Sequence, residues 1–356
     1  MNAAKPRFTK RILLFVLFGL LVLAVYLYYF VGTSDIANVI RQVNPLYYAL
    51  AFVAFVANIF FYSLAWQSLL RNVKVNIRIR RVLLFAWAGL FLDATVPDPG
   101  WSGDLSKAYM LARTSGQDAG RIVASVVGQK IIITVVTVVS LILGLTLLAV
   151  NYTITSTVLF FSIIILSLLA LSLVVVVYLS ARPAATKRLV NWLIRVVCSL
   201  RRDRWDPTDF RIRAEETLNA FHEGIKTLSA YPKSLVRPVA FSLVSWGFDV
   251  SVTFLTFVAL GYSVPVDKVL IVYASTGTLQ TFGVSIVGFT EVVMSGFYTV
   301  LGIPPALSLA VTLLARVVTL WFKLAVSYAA FQWIGVEILT DKNVDSNKEQ
   351  NLLKHK

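Results

Sequence analysis

Apolar runs long enough to cross a membrane constrain this chain more than any other feature of its sequence. A helix needs about 20 consecutive apolar residues to cross the roughly 30 Å of hydrocarbon in a bilayer. Several segments reach that length, and the 356-residue chain is 58% hydrophobic and only 14% charged. Soluble domains carry about 25% charged residues. The sequence therefore predicts an all-α polytopic membrane protein.

The apolar segments fall into two length classes, which predict two kinds of element. The long ones are 12–31, 46–70, 120–150, 157–180, 235–261 and 306–334. The short ones are 82–96, 269–283 and 288–301. A short segment covers only roughly 21 Å as a helix, which is less than a full crossing. We therefore expect the short segments to enter the membrane and return to the same side.

Basic residues are unevenly distributed between the loops, and this predicts the orientation. Lys- and Arg-rich loops of membrane proteins lie in the cytoplasm. Loop 71–81 has five basic residues and no acid, loop 181–234 has eleven basic residues, and loop 151–156 has no charge. The segment before residue 12 has four basic residues, and the segment after residue 334 has four lysines. We therefore expect a multi-pass protein of the cell membrane with both termini in the cytoplasm.

Counting crossings under this orientation makes the short segments two re-entrant hairpins. The hairpin 82–119 is expected to enter from the cytoplasm, and the hairpin 269–301 from outside. The fold prediction is six full transmembrane helices plus two oppositely oriented re-entrant hairpins. These form one integral membrane domain, residues 1–340, followed by a polar tail, 341–356, that is predicted to be disordered.

The order span, hairpin, span occurs twice and predicts an inverted repeat. Repeat one covers about 46–150 and repeat two about 235–334. Inverted repeats with broken helices are typical of secondary transporters, whose substrate site lies near the membrane midplane between the repeats. The alternative is the loose pseudo-symmetry that any polytopic protein can have.

The cytoplasmic loop 181–234 is predicted to contain an amphipathic helix. Asp206-Pro207 is typical of a helix start, and apolar residues recur at helical spacing from Phe210 to Leu228. We expect this helix to lie on an anionic membrane surface; the alternative is a docking site for a partner protein.

Charged residues inside apolar segments are the main candidates for function, because each costs about 2.5–3.5 kcal/mol at a helix centre. Lys130 and Arg316 each lie about ten residues into a long segment. Such cations could hold an anionic head group. The alternative is static ion pairs, of Arg316 with Glu291 and of Lys130 with Asp93 or Asp104.

Two further expectations concern the hairpins and the last span. In TVPDPGWSGDLSKAY, residues 95–109, Gly100 and Gly103 permit a tight turn and close backbone approach, and Ser102 is expected to cap the next helix. Lys323 is expected to reach the cytoplasmic interface by snorkelling. The candidate substrate-binding residues are Asp93, Gly100, Ser102, Gly103, Asp104, Lys107, Tyr109, Lys130, Asp249, Gly288, Glu291 and Arg316.

No sequence pattern predicts a catalytic or metal site, and we expect neither a metal nor a cofactor. The only cysteine is Cys198, and neither histidine, His222 or His355, has a Cys or His at ligand spacing. The acids of the first hairpin form the one alternative, a metal-binding set of a lipid-processing enzyme.

The motifs resemble the lysylphosphatidylglycerol synthase transmembrane region family, the flippase-like membrane half of the bacterial multiple peptide resistance factor. The family motif, roughly Pro-Gly-Gly-x-Gly-Asp/Glu-x-x-Arg-x-Tyr-x-Leu, is similar to PGWSGDLSKAYML at residues 99–111. The family's Glu-Arg pair corresponds to Gln129-Lys130, and its second-repeat residues correspond to Gly288, Glu291 and Arg316. Trp101 stands where the family has glycine, and Gln129 where it has an acid.

The resemblance implies a flippase-like protein that moves a phosphate-containing or aminoacylated lipid between leaflets, with the head group in a midplane polar cavity. The alternatives are a membrane-embedded enzyme or subunit acting on polyprenyl-phosphate lipids, and a transporter of small soluble anions. Lysyltransferase activity is not expected, since the family's soluble aminoacyltransferase domain is missing. The expected partners are anionic or polyprenyl-phosphate-linked membrane lipids, with a second copy or a cytoplasmic lipid-modifying enzyme as further candidates, and no nucleic acid.

Overall fold

The computed structural model describes residues 38–96, 101–151, 156–200, 208–281 and 288–335. These residues form helices and connecting turns, and no strand occurs among them. The predicted first span 12–31, Gly100 and the tail 341–356 lie outside the described residues.

The helices follow the apolar pattern of the sequence closely. They are α1 (Pro45–Asn72), α2 (Ile79–Thr95), α3 (Ser102–Ser115), α4 (Ala119–Asn151), α5 (Ser156–Ala181), α6 (Pro183–Leu200), α7 (Thr208–Ala230), α8 (Val236–Ala259), α9 (Val266–Thr281), α10 (Phe289–Val300) and α11 (Pro305–Arg316). A 3-10 turn, Pro232–Leu235, precedes α8. A π-helical turn, Val317–Phe322, continues α11 into a last helical stretch, 323–335.

Five helical stretches of the described chain are long and apolar enough to cross a membrane. They are Pro45–Asn72, Ala119–Val150, Leu159–Ala181, Pro232–Ala259 and Pro305–Gly335. The prediction of an all-helical membrane protein is thereby confirmed. Helices α2, α3, α9 and α10 are shorter, with 17, 14, 16 and 12 residues. The six-span arrangement with two re-entrant hairpins stays a prediction.

Helices α1 and α8 pack side by side and run antiparallel. At one end the Asn72 side chain donates a hydrogen bond to the Ser234 carbonyl at 3.0 Å. At the other end the Asn44 amide donates to the Ala259 carbonyl at 2.7 Å. Midway, Ser245 Oγ lies 2.6 Å from Asn58 Oδ1. These contacts join α1 and α8 along their whole length.

Helices α2 and α3 cross where two glycines meet. A Cβ added at Gly103 would lie 2.6 Å from the Gly89 carbonyl oxygen, and one at Gly89 would lie 2.7 Å from the Gly103 oxygen. No side chain fits into this gap, so the contact requires glycine at both positions. The prediction that Gly103 serves close backbone approach thus holds, but the residue lies within α3 and not in a turn.

Helix α7 covers most of the stretch of loop 181–234 where an amphipathic helix was predicted; its expected start at Asp206 lies outside the described residues. Its apolar face is not left to a membrane surface. Phe221 and Leu228 are buried, and the small residues Gly120 and Gly224 bring α7 and α4 into close contact. The surface of α4 therefore covers the face that was expected to lie on lipid.

Candidate functional site

A cavity of about 380 Å³ lies at the centre of the helices. Every helix from α1 to α11 contributes to its lining except α6 and α7. This volume is within the range of small-molecule sites. Its charged lining residues are Asp93, Asp104, Asp249, Lys107, Lys130, Arg316 and Lys323. Six of these seven are sequence-predicted site residues, which the fold brings together from five helices.

Asp104, the third residue of α3, holds two lysines. Its Oδ1 lies 2.8 Å from Lys107 Nζ, and its Oδ2 lies 3.1 Å from Lys130 Nζ. The Tyr62 hydroxyl approaches Oδ1 at 3.3 Å. The ion pair that the sequence offered for Lys130 therefore forms, with Asp104 as the acid. Lys130 Nζ also lies 5.4 Å from the centre of the Trp101 ring, within cation–π range.

Lys107 is almost fully buried, with 2% of its surface exposed, and neutral groups complete its surroundings. Its ammonium donates to the Tyr62 hydroxyl at 2.6 Å and to Gln129 Oε1 at 3.1 Å. It also lies 4.7 and 4.8 Å from the Tyr62 and Trp66 ring centres. The amide nitrogen of Gln129 donates to the Tyr62 carbonyl at 2.9 Å. Gln129 thus supplies, without charge, an acceptor where the family pattern has an acid.

The second acid, Glu291, is the third residue of α10 and joins two elements. Its Oε1 lies 2.7 Å from Arg316 Nε, and its Oε2 accepts the Gly288 amide hydrogen at 2.6 Å. The same carboxylate therefore accepts a hydrogen bond from a backbone amide at the start of α10 and holds the guanidinium on α11. Arg316 is only 6% exposed, and its Nη2 finds no hydrogen-bond partner among the described residues.

Lys323 lines the cavity, which corrects the expectation that it snorkels to the interface. It follows the π-helical turn that begins after Arg316. Its ammonium forms no ion pair or hydrogen bond with the part of the chain that the structure describes, although it interacts electrostatically with Asp93, Asp249 and Arg316. Depth counting along a regular helix placed it near the surface, and the cavity instead extends to it.

Asp249 on α8 is held by two neutral donors. Asn58 Nδ2 approaches Oδ1 at 2.8 Å, and the Tyr273 hydroxyl approaches Oδ2 at 2.7 Å. Three further site residues, Asn58, Tyr62 and Tyr273, were not predicted from the sequence. Asn58 and Tyr62 stand four residues apart in an apolar span, so they share one helix face. That polar pair was the available signal.

Of the predicted site residues that the structure describes, four do not line the cavity: Ser102, Tyr109, Gly288 and Glu291. Ser102 is the first residue of α3 and not its cap, and its hydroxyl donates to the Leu92 carbonyl at 3.3 Å. Tyr109 is 63% exposed. Gly288 has a positive φ of 92° and precedes α10. Its amide donates to Glu291, the acid that pairs with Arg316. Gly100 is outside the described residues.

Comparison with known proteins gives one family and several relatives. The family model described as lysylphosphatidylglycerol synthase TM region matches residues 16–327. A UPF0104 membrane protein of Methanocaldococcus jannaschii is 25% identical over 338 residues, which cover 94% of this chain and 98% of the relative. One from Methanothermobacter thermautotrophicus is 23% identical over 328 residues, 86% and 91% of the two chains. One from Pyrococcus horikoshii is 22% identical over 305 residues, 84% and 90%. No solved structure matches significantly.

Proposed function

The chain belongs to the lysylphosphatidylglycerol synthase transmembrane region family, and from this premise we propose that it binds a lipid head group in the central cavity and moves the lipid between leaflets. The substrate class is a lipid with a phosphate-containing or aminoacylated head group. The observation that carries the proposal is a pair of cations, Arg316 at the end of α11 and Lys323 after the π-helical turn, whose donors are not all used by the described residues.

The proposed anion site is formed by Arg316 and Lys323. Lys107 and Lys130 share Asp104 and are therefore already neutralised in part. Arg316 retains a buried, unpartnered Nη2 within the described residues, and Lys323 forms no ion pair there, although Asp93 and Asp249 interact with it electrostatically. A phosphate or carboxylate in the cavity would supply acceptors to both groups, since guanidinium and ammonium bind such oxygens strongly. Lys130 lines the same cavity and adds positive potential.

The rest of the lining supports an amphiphilic substrate. Phe55, Ile59, Leu90, Ile133 and Val136 line the same cavity as the charged groups. A soluble anion would gain nothing from these side chains, whereas the acyl or prenyl part of a lipid would contact them favourably. We therefore favour lipid over a small soluble anion.

The two ion pairs also support the proposed inverted repeat. Asp104 pairs with Lys130 and Glu291 pairs with Arg316, in each case from the first turn of a short helix to the next long apolar helical stretch, Ala119–Val150 or Pro305–Gly335. In this proposal the α2–α3 and α9–α10 pairs are the two re-entrant hairpins, and the substrate site lies between the repeats near the midplane.

A leaflet assay tests the proposal. The full-length protein is reconstituted into vesicles that contain phosphatidylglycerol with a fluorescent head-group label, and dithionite destroys the label in the outer leaflet. We expect faster exchange between leaflets than in protein-free vesicles. Lys323→Gln should slow exchange by about tenfold, because each lost hydrogen bond to a charged group costs about 1.5–3 kcal/mol. Lys226→Gln, at an exposed lysine on α7 away from the cavity, is the matched control.

Three outcomes would overturn the proposal. Exchange that is unchanged in Lys323→Gln and in Arg316→Lys, with both variants folded, would exclude the proposed anion site. Uptake of radiolabelled inorganic phosphate without lipid exchange would identify a soluble-anion transporter. A change in lipid mass during the assay would identify an enzyme.

A further inference from the structure

Helix α6 is separated from the preceding membrane-spanning helix by a break that the sequence explains. The amide of residue 183 would normally bond to the Leu179 carbonyl, but Pro183 has no amide hydrogen and its ring opposes a continuous helix. The Thr186 hydroxyl donates to the Leu179 carbonyl instead. Only Arg182 separates α5 from α6, so α6 begins within about 8 Å of the end of α5. Helix α6 therefore starts at the membrane surface.

One face of α6 is apolar and uncovered. Trp192 and Leu193 are 53% and 47% exposed, and Leu189 and Val196 are exposed beside them. These four positions lie on one side of the helix. Ile194 points inward and is buried. The exposed strip therefore consists of large side chains that no described part of the protein covers.

The polar side of α6 is basic and contains no acid from Pro183 to Leu200. Arg188 and Arg195 are exposed and lie seven residues apart on the same helix face. Lys187 lies 3.8 Å from Glu215 of α7, so this lysine faces α7 and not the apolar strip. An apolar strip flanked by arginines and a tryptophan is the composition of a helix that lies at a lipid–water interface.

We propose that α6 lies in the plane of the membrane surface beside the end of α5 and binds anionic lipid. The strip of Leu189, Trp192, Leu193 and Val196 contacts acyl chains, while Arg188 and Arg195 contact lipid phosphates. This role belongs to α6 and not to α7, whose apolar face is covered by α4. The inference does not depend on the proposed transport function.

Spin-label accessibility tests the position of α6 in the full-length protein. Cys198 is replaced by serine to remove the only native cysteine, and a nitroxide is attached either at Leu193→Cys or at Asn191→Cys. Residue 193 belongs to the strip, and residue 191 is exposed on another side of α6. In vesicles of phosphatidylcholine and phosphatidylglycerol, the label at 193 should collide more with oxygen, which concentrates in lipid, than with a water-soluble nickel complex. The label at 191 should show the opposite preference.

A strip that faces water or another protein would overturn the proposal. In the first case the label at 193 would collide with the nickel complex as often as the label at 191 does. In the second case it would be shielded from both relaxing agents.

The ligand class is tested by omitting phosphatidylglycerol. Each arginine near an anionic surface is worth about a fivefold shift in the membrane-bound population. The oxygen preference at 193 should therefore fall in pure phosphatidylcholine, and Arg188→Gln/Arg195→Gln should lose its dependence on phosphatidylglycerol. An oxygen preference in the parent protein that does not respond to lipid charge would overturn the assignment of anionic lipid.

Discussion

Asp104 and Glu291 are each the third residue of a short helix, and each contacts a cation that lies 26 or 25 residues further along the chain. The two carboxylates differ in what they hold. Asp104 is shared by Lys107 and Lys130, whereas Glu291 binds Arg316 and the amide that begins its own helix. The two carboxylates therefore differ in their structural roles, and substitutions should change stability differently at the two positions.

Arg316→Gln should lower stability strongly, because it leaves the buried Glu291 carboxylate without its cation. Breaking one side of a buried ion pair costs about 3–5 kcal/mol. The double variant Glu291→Gln/Arg316→Gln should recover much of this loss, because no charge remains unpaired. Unfolding midpoints of the purified protein measure both effects, with the exposed Arg113→Gln as control. Equal midpoints for Arg316→Gln and the parent would contradict the buried pair.

Asp104→Asn should also destabilise, because it leaves two lysines close together without their shared acid. The loss should be about 3–5 kcal/mol, as for other broken buried pairs. Gln129→Glu should rescue part of it in the Asp104→Asn background, since Gln129 Oε1 already lies 3.1 Å from Lys107 Nζ. The rescue should be incomplete, because a carboxylate cannot donate to the Tyr62 carbonyl as the amide does. Thermal midpoints of the single and double variants decide this, and a further loss in the double variant would refute it.

Unlike these two destabilising variants, Lys323→Met should raise the unfolding midpoint. The ammonium has no ion pair among the described residues, so its removal breaks no bond that the structure contains. A stabilising replacement of such a residue typically raises the free energy of unfolding by about 0.5–2 kcal/mol. Lys226→Met on the surface of α7 should leave the midpoint unchanged. A clear loss of stability in Lys323→Met would assign Lys323 a structural role.

Gly103→Ala should separate α2 from α3. Its Cβ would lie 2.6 Å from the Gly89 oxygen and 2.7 Å from Asp93 Cβ, and backbone cannot yield as a flexible side chain can. Overpacking of this kind costs about 1–3 kcal/mol. Gly247→Ala is the matched control, because nothing lies within 4 Å of its added Cβ; it should be neutral or stabilise α8 by about 0.5–1 kcal/mol. Similar midpoints for the two variants would contradict the close contact.

The sequence was informative about the helices because transmembrane length and hydrophobicity are local properties. The cost of burying charge singled out Lys130 and Arg316 and also indicated that each needs an acidic partner. It could not choose Asp104 over Asp93, because both acids lie near the contact of α2 with α3 and only tertiary geometry separates them.

Other features depended on packing that no local pattern reports. The apolar face of α7 has the spacing of an interfacial helix, but the glycines that bring α4 against it belong to two distant segments. Lys323 was misassigned because counting residues along a helix gives depth and does not give the shape of a cavity. Tyr62 escaped notice because a tyrosine in an apolar span is ordinary until Lys107 and Asp104 are known to meet it.

The glycine contact between α2 and α3 also determines how Asp104 is able to move. Asp104 follows Gly103 directly, and the Gly103 backbone rests against Gly89 with no side chain between them to act as a cushion. We therefore expect the two helices to move together as one rigid unit. A displacement that moves the Asp104 backbone away from Lys130 would then also move Asp93, so the cavity-lining acids of α2 and α3 would shift together.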